Sequence, residues 1–214
     1  GWEGVLLGDV PVGAGLSSSA AVELAVARAF QRGADWSWDA AAMALLGQRA
    51  ENRWVGVNCG IMDQMISACG KDGHALLLDC RSLEGQHVPL PNGVAVVVLD
   101  TGTRRGLVDS AYNERRAQCE AAARFFAVGA LRDVDEETFA DRMHALGETP
   151  RRRARHVISE NGRTERAAEA MRQGDAQGLG LLLNESHVSL RDDFSVSSEA
   201  LDAMVECAQD HVSC

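Results

Sequence analysis

The chain has 214 residues, 46% hydrophobic and 24% charged, which excludes a disordered segment and leaves room for one large or two small folded domains. A formal net charge of -10 excludes broad nucleic-acid binding, which needs a basic face. No apolar run approaches the roughly 18 residues of a membrane span and no signal peptide opens the chain, so a cytoplasmic setting without a membrane partner is expected.

Residues 5–10 predict a short apolar strand ended by Pro11. From Ser18 to about Arg32 the pattern is helical, with Val22, Ala25, Val26, Ala29 and Phe30 on one buried face and Gly33 as the stop. Ser37 is expected to cap a second helix that turns Trp38, Ala42, Leu45 and Leu46 inward and ends near residues 51–53. Gly60 opens a third helix with Ile61, Met65, Ile66 and Cys69 on its apolar side, and Gly70 ends it. Residues 75–79 and 94–100 predict two strands. The second, "VAVVVLD", is apolar without alternation, as a strand buried on both faces would be. After Gly102 the pattern is mostly helical, over residues 109–127, 151–172 (Gly162 its weak point), 176–190 and 198–209. A strand-rich first part and a helix-rich second part suggest two lobes, residues 1–91 and 92–214.

Lys71 is the only lysine among 21 basic residues, so a cation acting on a phosphate here would be arginine, a hydroxyl-bound metal or backbone N–H. Residues 151–153 are most simply a solvated helix start. The six cysteines form no C-x-x-C pair, which fits small, mostly buried apolar residues in a reducing compartment.

The stretch "GDVPVGAGLSSSAA" carries the first chemistry. Gly13 and Gly15 let the backbone approach a ligand closely, and Ser17, Ser18 and Ser19 enter a helix whose unpaired N–H groups suit a phosphate. Simple capping needs one serine, whereas two glycines and three serines favour an anion site. The dinucleotide and P-loop patterns both fail, since Ser18 stands at the third glycine and no G-K-S/T follows. Glu51, at a helix end where negative charge is disfavoured, has either Arg49 and Arg53 or a bound magnesium ion to offset it. Asp63, in "NCGIMDQM", is either a routine helix-start aspartate or a carboxylate presented to a substrate hydroxyl. The residues alone leave both pairs of readings open.

Taken together, "PVGAGLSSSAAVELA", "GVNCGIMDQMISACGKDGHALLLDCRSLEGQHVPLP", "SAYNERRAQCEAAARFF" and "LNESHVSLRDDFSVSSEALD" resemble the galactokinase branch of the GHMP small-molecule kinases. The likeness runs over nearly the whole chain. "CGIMDQ" and "DCRSL" point to galactokinase rather than to the mevalonate or homoserine branches. The resemblance implies an α+β, two-lobed GHMP kinase fold, with a ribosomal protein S5 domain 2-like N-terminal lobe and a ferredoxin-like, helix-rich C-terminal lobe. It also implies a chain cut at both ends: an early arginine- and acid-bearing motif and a late glycine-rich motif of the family have no counterpart here, and the 214 residues alone are expected to be inactive.

Carried over residue by residue, Gly13, Ala14, Gly15, Leu16, Ser17, Ser18 and Ser19 would bind ATP. Ser19 and Glu51 would hold Mg²⁺, Asp63 would be the base or hydroxyl-polarising group, and Gly60, Asp63 and Tyr112 would contact the sugar. By residue type alone Tyr112, the only tyrosine, is a helix-face aromatic with its hydroxyl at the surface. The implied function is ATP-dependent phosphorylation of D-galactose at its anomeric hydroxyl, as in galactose catabolism, by a monomer with small-molecule partners only. A silent galactose- and ATP-binding sensor and an N-acetylgalactosamine kinase are the alternatives.

Overall fold

The computed structural model describes residues 3–56, 58–103 and 109–211. It is helix-rich α+β with one two-stranded sheet, and its contacts divide it into two compact units. The first reaches His87; the second takes Val88–Thr103 and the residues from 109 onward.

In the first unit, α1 (Ser18–Ala34) packs on α2 (Ala40–Ala50) and α3 (Met62–Cys69). The buried face of α1 is not the predicted one. Ala20 and Leu24, four residues apart, are buried, while Val22, Val26 and Phe30 are exposed. The apolar content of α1 runs round much of the helix, and tertiary contact chose the narrow alanine–leucine edge. Gly33 lies inside the helix, and Asp35, in the left-handed region at φ 54°, ends it.

Asp39, not Ser37, caps α2: its carboxylate accepts from the Ala42 N–H at 3.0 Å. A cap must stand immediately before the first helical residue, and Ser37 is two positions too early. At its far end α2 runs into a π turn, Glu51–Val55, closed by Gly56 at φ 88°. Ile61 and Met65 are buried around Ala44, but Ile66 is exposed and Gln64 takes an inward position instead.

The predicted strand at residues 75–79 forms as β1 (His74–Leu78), paired with β2 (Gly85–Pro89) across a turn in which the Asp79 carboxylate accepts from the N–H groups of Arg81 and Ser82. The predicted strands at residues 5–10 and 94–100 form no ladder. Val5, Leu7, Val96 and Val97 are largely exposed, which corrects the expectation of a strand buried on both faces. Strand propensity alone does not make a strand; a hydrogen-bonding neighbour must complete it, and among the described residues neither run has one.

The second unit is built on α4 (Asp109–Phe126), α5 (Glu136–Arg142), α6 (Glu148–Gln173), α7 (Ala176–Ser189) and α8 (Glu199–Gln209). Ser198 caps α8 by accepting from the Leu201 N–H at 3.3 Å. α6 runs unbroken through Gly162. The core of this unit gathers Ala122, Phe126, Phe139, Leu146, Ala154 and Ile158 between α4, α5 and α6.

Arg153 is not the solvated residue expected at a helix start. It is buried, and its guanidinium donates to the Gln118 side chain at 2.8 Å, to the Asp193 carbonyl and to the Ser195 hydroxyl at 3.0 Å. Arg115 donates to the carbonyls of Phe194 and Ser195, so two arginines clamp a second π turn, Leu190–Phe194. His156 is stacked on Phe194 with centroids 4.4 Å apart, and burial holds its imidazole below the usual histidine range. The described cysteines are free, and none is fully buried: Cys59, Cys69 and Cys119 are half-buried, Cys80 and Cys207 exposed, and Cys214 lies outside the described residues. Among the described residues no helix is long and apolar enough to cross a membrane.

Candidate functional site

The glycine–serine turn has an unusual backbone. Gly13, Gly15 and Ser17 lie in the left-handed region at φ 73°, 75° and 57°, while Ala14 and Leu16 between them do not. Left-handed residues alternating with right-handed ones are the backbone from which anion nests are built. Ser17, a residue with a side chain, adopts a conformation that favours glycine, which a plain cap does not require. Its side chain makes no capping bond to α1. Ser17, Ser18 and Ala14 are half-buried, and Gly13, Gly15, Leu16 and Ser19 are exposed, so the turn is open to solvent at the positive end of a 17-residue helix.

One turn further along, Ser19 and Glu23 share a face of α1 as an i, i+4 pair. Glu23 and Glu51 are close enough for each carboxyl to feel the other. Burial raises the Glu23 carboxyl to about 7, helped by the neighbouring Glu51 carboxyl. The Gln64 amide donates to Glu23 Oε2 at 3.3 Å. Glu51 Oε2 is buried and has no hydrogen-bond donor, so neither Arg49 nor Arg53 satisfies it. Glu51 starts the π turn that follows α2, an irregularity that recurs at functional sites.

Asp63 stands in the first turn of α3, exposed, with Gly60 exposed just before it. The loop ahead of Gly60 is tied down at Cys59. The Gln48 amide donates to the Cys59 carbonyl at 3.2 Å, and the Cys59 thiol donates to the Asn52 side chain at 3.4 Å. Burial pushes the Cys59 thiol up, with Glu51 adding to the effect, so this cysteine is a neutral strut rather than a nucleophile. Tyr112 belongs to the second unit, on α4, and is exposed. The first unit therefore brings the serine turn, Glu51 and the Asp63 helix into one packed set through α1.

Sequence reasoning missed Glu23, Gln48, Cys59 and Gln64. Two of them carried a signal: Glu23 is the one carboxylate of α1, one turn from Ser19, and Gln64 interrupts the apolar side of α3 next to Asp63.

Among the described residues no group of three or more histidine, cysteine, aspartate or glutamate side chains could hold a metal by itself. Magnesium bound through phosphates needs only one or two protein oxygens. The orphaned Glu51 oxygen fits that demand, and the Ser19 hydroxyl lies on the α1 face that leads to it.

Residues 3–71 match the family model of the GHMP kinases N terminal domain. Turn and family match together mark residues 3–71 as similar to the N-terminal domain of the GHMP small-molecule kinases. The chain's particular likeness is to galactokinase. The crystal structure of Lactococcus lactis galactokinase complexed with galactose matches it at a TM-score of 0.86 and 35% sequence identity, over 96% of this chain and 54% of that one. The chain spans about half the length of that enzyme.

Proposed function

We propose that the protein containing this chain is a galactokinase, transferring the γ-phosphoryl group of ATP to the anomeric hydroxyl of D-galactose to give galactose 1-phosphate and ADP. The observation that carries this reading is the likeness, across 96% of the chain, to a galactokinase crystallised with galactose.

The amides of residues 13–17 and the first N–H groups of α1 bind phosphate oxygens, and the Ser17, Ser18 and Ser19 hydroxyls add donors. Ser19 and Glu51 would hold Mg²⁺, which when bound neutralises charge on the transferring phosphate. Asp63 accepts a hydrogen bond from the attacking hydroxyl and aligns it, taking its proton late in the transfer. Such a reaction depends mainly on position and electrostatics, which is what these groups would supply. The family resemblance assigns Gly60 and Tyr112 to the sugar.

The test is sugar-dependent ADP release by the complete protein, with galactose and N-acetylgalactosamine compared. Release with galactose, and less with the N-acetyl sugar, is expected. ATP bound without any release would replace the kinase by a sensor, and a preference for the N-acetyl sugar would replace the substrate.

A further inference from the structure

Gln64 is a polar residue where α3 should present an apolar one. Its side chain is among the largest that are fully buried, at 1% exposure. A residue that merely filled this space would be leucine or methionine. Glutamine instead leaves its Oε1 buried without a donor, so the side chain is held here for the bond its amide N–H makes. That bond runs to Glu23 Oε2, from a residue 41 positions earlier in the chain. Space for it comes from α2. A Cβ on Gly47 would stand 3.0 Å from Glu23 Oε2 and 3.2 Å from Gln64 Cγ. The same Gln64 amide also faces the Cys59 sulfur, at 4.0 Å, in the loop that leads to Gly60.

We propose that Gln64 is a positioning residue: through Glu23 it pins α3 against α1, so that Asp63 keeps a fixed place relative to the serine turn. Adjacent helix residues project about 100° apart, so burying Gln64 turns Asp63 outward, where it is exposed. Ser19 is one turn above Glu23 on α1, and Asp63 is one residue before Gln64 on α3. The Glu23–Gln64 bond therefore joins the two elements from points next to their working residues. The effect of this pin on turnover rests on the kinase reading; the pin itself does not.

The test is a double-mutant cycle in the complete protein, with Gln64→Leu, Glu23→Leu and both together, turnover being expressed per folded molecule. Gln64→Leu keeps the volume and removes the buried orphan oxygen, so its melting temperature should hold. Its kcat should fall about 100-fold, the cost of a small misplacement of reacting groups, with the KM for ATP little changed. The double variant should be no slower than the slower single one, as for two halves of one contact. An unchanged kcat in Gln64→Leu, or losses that multiply in the double variant, overturns the proposal. Amide hydrogen exchange at the start of α3 reads the same pin without reference to any sugar. Faster exchange there in Gln64→Leu, at an unchanged melting temperature, is expected, and unchanged exchange overturns the pin. If the wild-type protein turned over no sugar, the kinase reading would fail while this second measurement still decided the fate of Gln64.

Discussion

Around α4, α5 and α6, nine buried residues from Ala122 to Ile158 close into one apolar cluster; around α2 and α3, only Ala44, Ile61 and Met65 do. The second unit holds its helices by area removed from water, with Phe126 set edge-on against Phe125, centroids 5.0 Å apart, and tilted against Phe139 at 6.1 Å. The fully buried cluster of the first unit is smaller, and directional contacts add to it: Gln64 to Glu23, and Gln48 to the Cys59 carbonyl. Apolar burial is strong but indifferent to small shifts, whereas hydrogen bonds are weak in net terms but fix geometry. The unit that carries the serine turn, Glu51 and Asp63 has the second kind of cohesion. Precision is located where the chemistry is proposed, and bulk stability elsewhere.

The largest effect that would sharpen this contrast is on turnover. Asp63→Asn in the complete protein should cost on the order of 1000-fold in kcat, the usual worth of a positioned acid–base group. Asp63 is exposed, so the melting temperature should scarcely move and ATP binding should persist. Turnover near the wild-type level, measured by ADP release, would remove Asp63 from the site. The opposite profile belongs to the second unit. Phe126→Ala opens a cavity among Phe125, Phe139 and their neighbours and should destabilise by about 3–5 kcal/mol in a denaturant melt. A cost below roughly 1 kcal/mol, the level of a surface change, would break the comparison, because the apolar cluster would then not be what holds that unit.

How far these features were legible in the sequence divides along the same line. Helices α4, α6, α7 and α8 of the second unit showed in the pattern because amphipathic runs with clear caps, such as Ser198 before α8, are local signals, whereas the seven-residue α5 was too short to show one. The glycine–serine turn was legible too, since Gly13 and Gly15 announce left-handed backbone, although nothing local announced that Ser17 would join them. The buried faces of α1 and α3 were not. Val22, Val26 and Phe30 are the more hydrophobic choice, yet Ala20 and Leu24 are the ones covered, since which side of a helix meets its neighbour is settled by packing. The predicted strands at residues 5–10 and 94–100 failed for a related reason, while that at 75–79 formed as β1. "VAVVVLD" has strand propensity but no ladder, while "GQHVP", with a glycine and a proline, pairs because the turn at Asp79 brings it alongside β1. The Glu23–Gln64 contact and the burial of Arg153 joined residues too far apart in sequence for any period or motif to mark them.

Two glycines in helix interiors give the finest test of the contrast, because the same substitution should have opposite signs in the two units. Alanine ordinarily gains up to about 1 kcal/mol over glycine in a helix. At Gly162 in α6 nothing lies within 4 Å of the added Cβ, so Gly162→Ala should stabilise by about 0.5–1 kcal/mol. At Gly47 in α2 the new methyl meets Glu23 Oε2 at 3.0 Å and Gln64 Cγ and Leu24 Cδ2 at 3.2 Å. The carboxylate tip and the glutamine stem can yield by a few tenths of an ångström only by stretching the bond between them, already 3.3 Å long. Overpacking of about 1–3 kcal/mol then outweighs the helix gain, and Gly47→Ala should lower the melting temperature where Gly162→Ala raises it. If Gly47→Ala proved stabilising as well, the polar node under α2 would have slack, and the first unit would owe its geometry to ordinary packing after all.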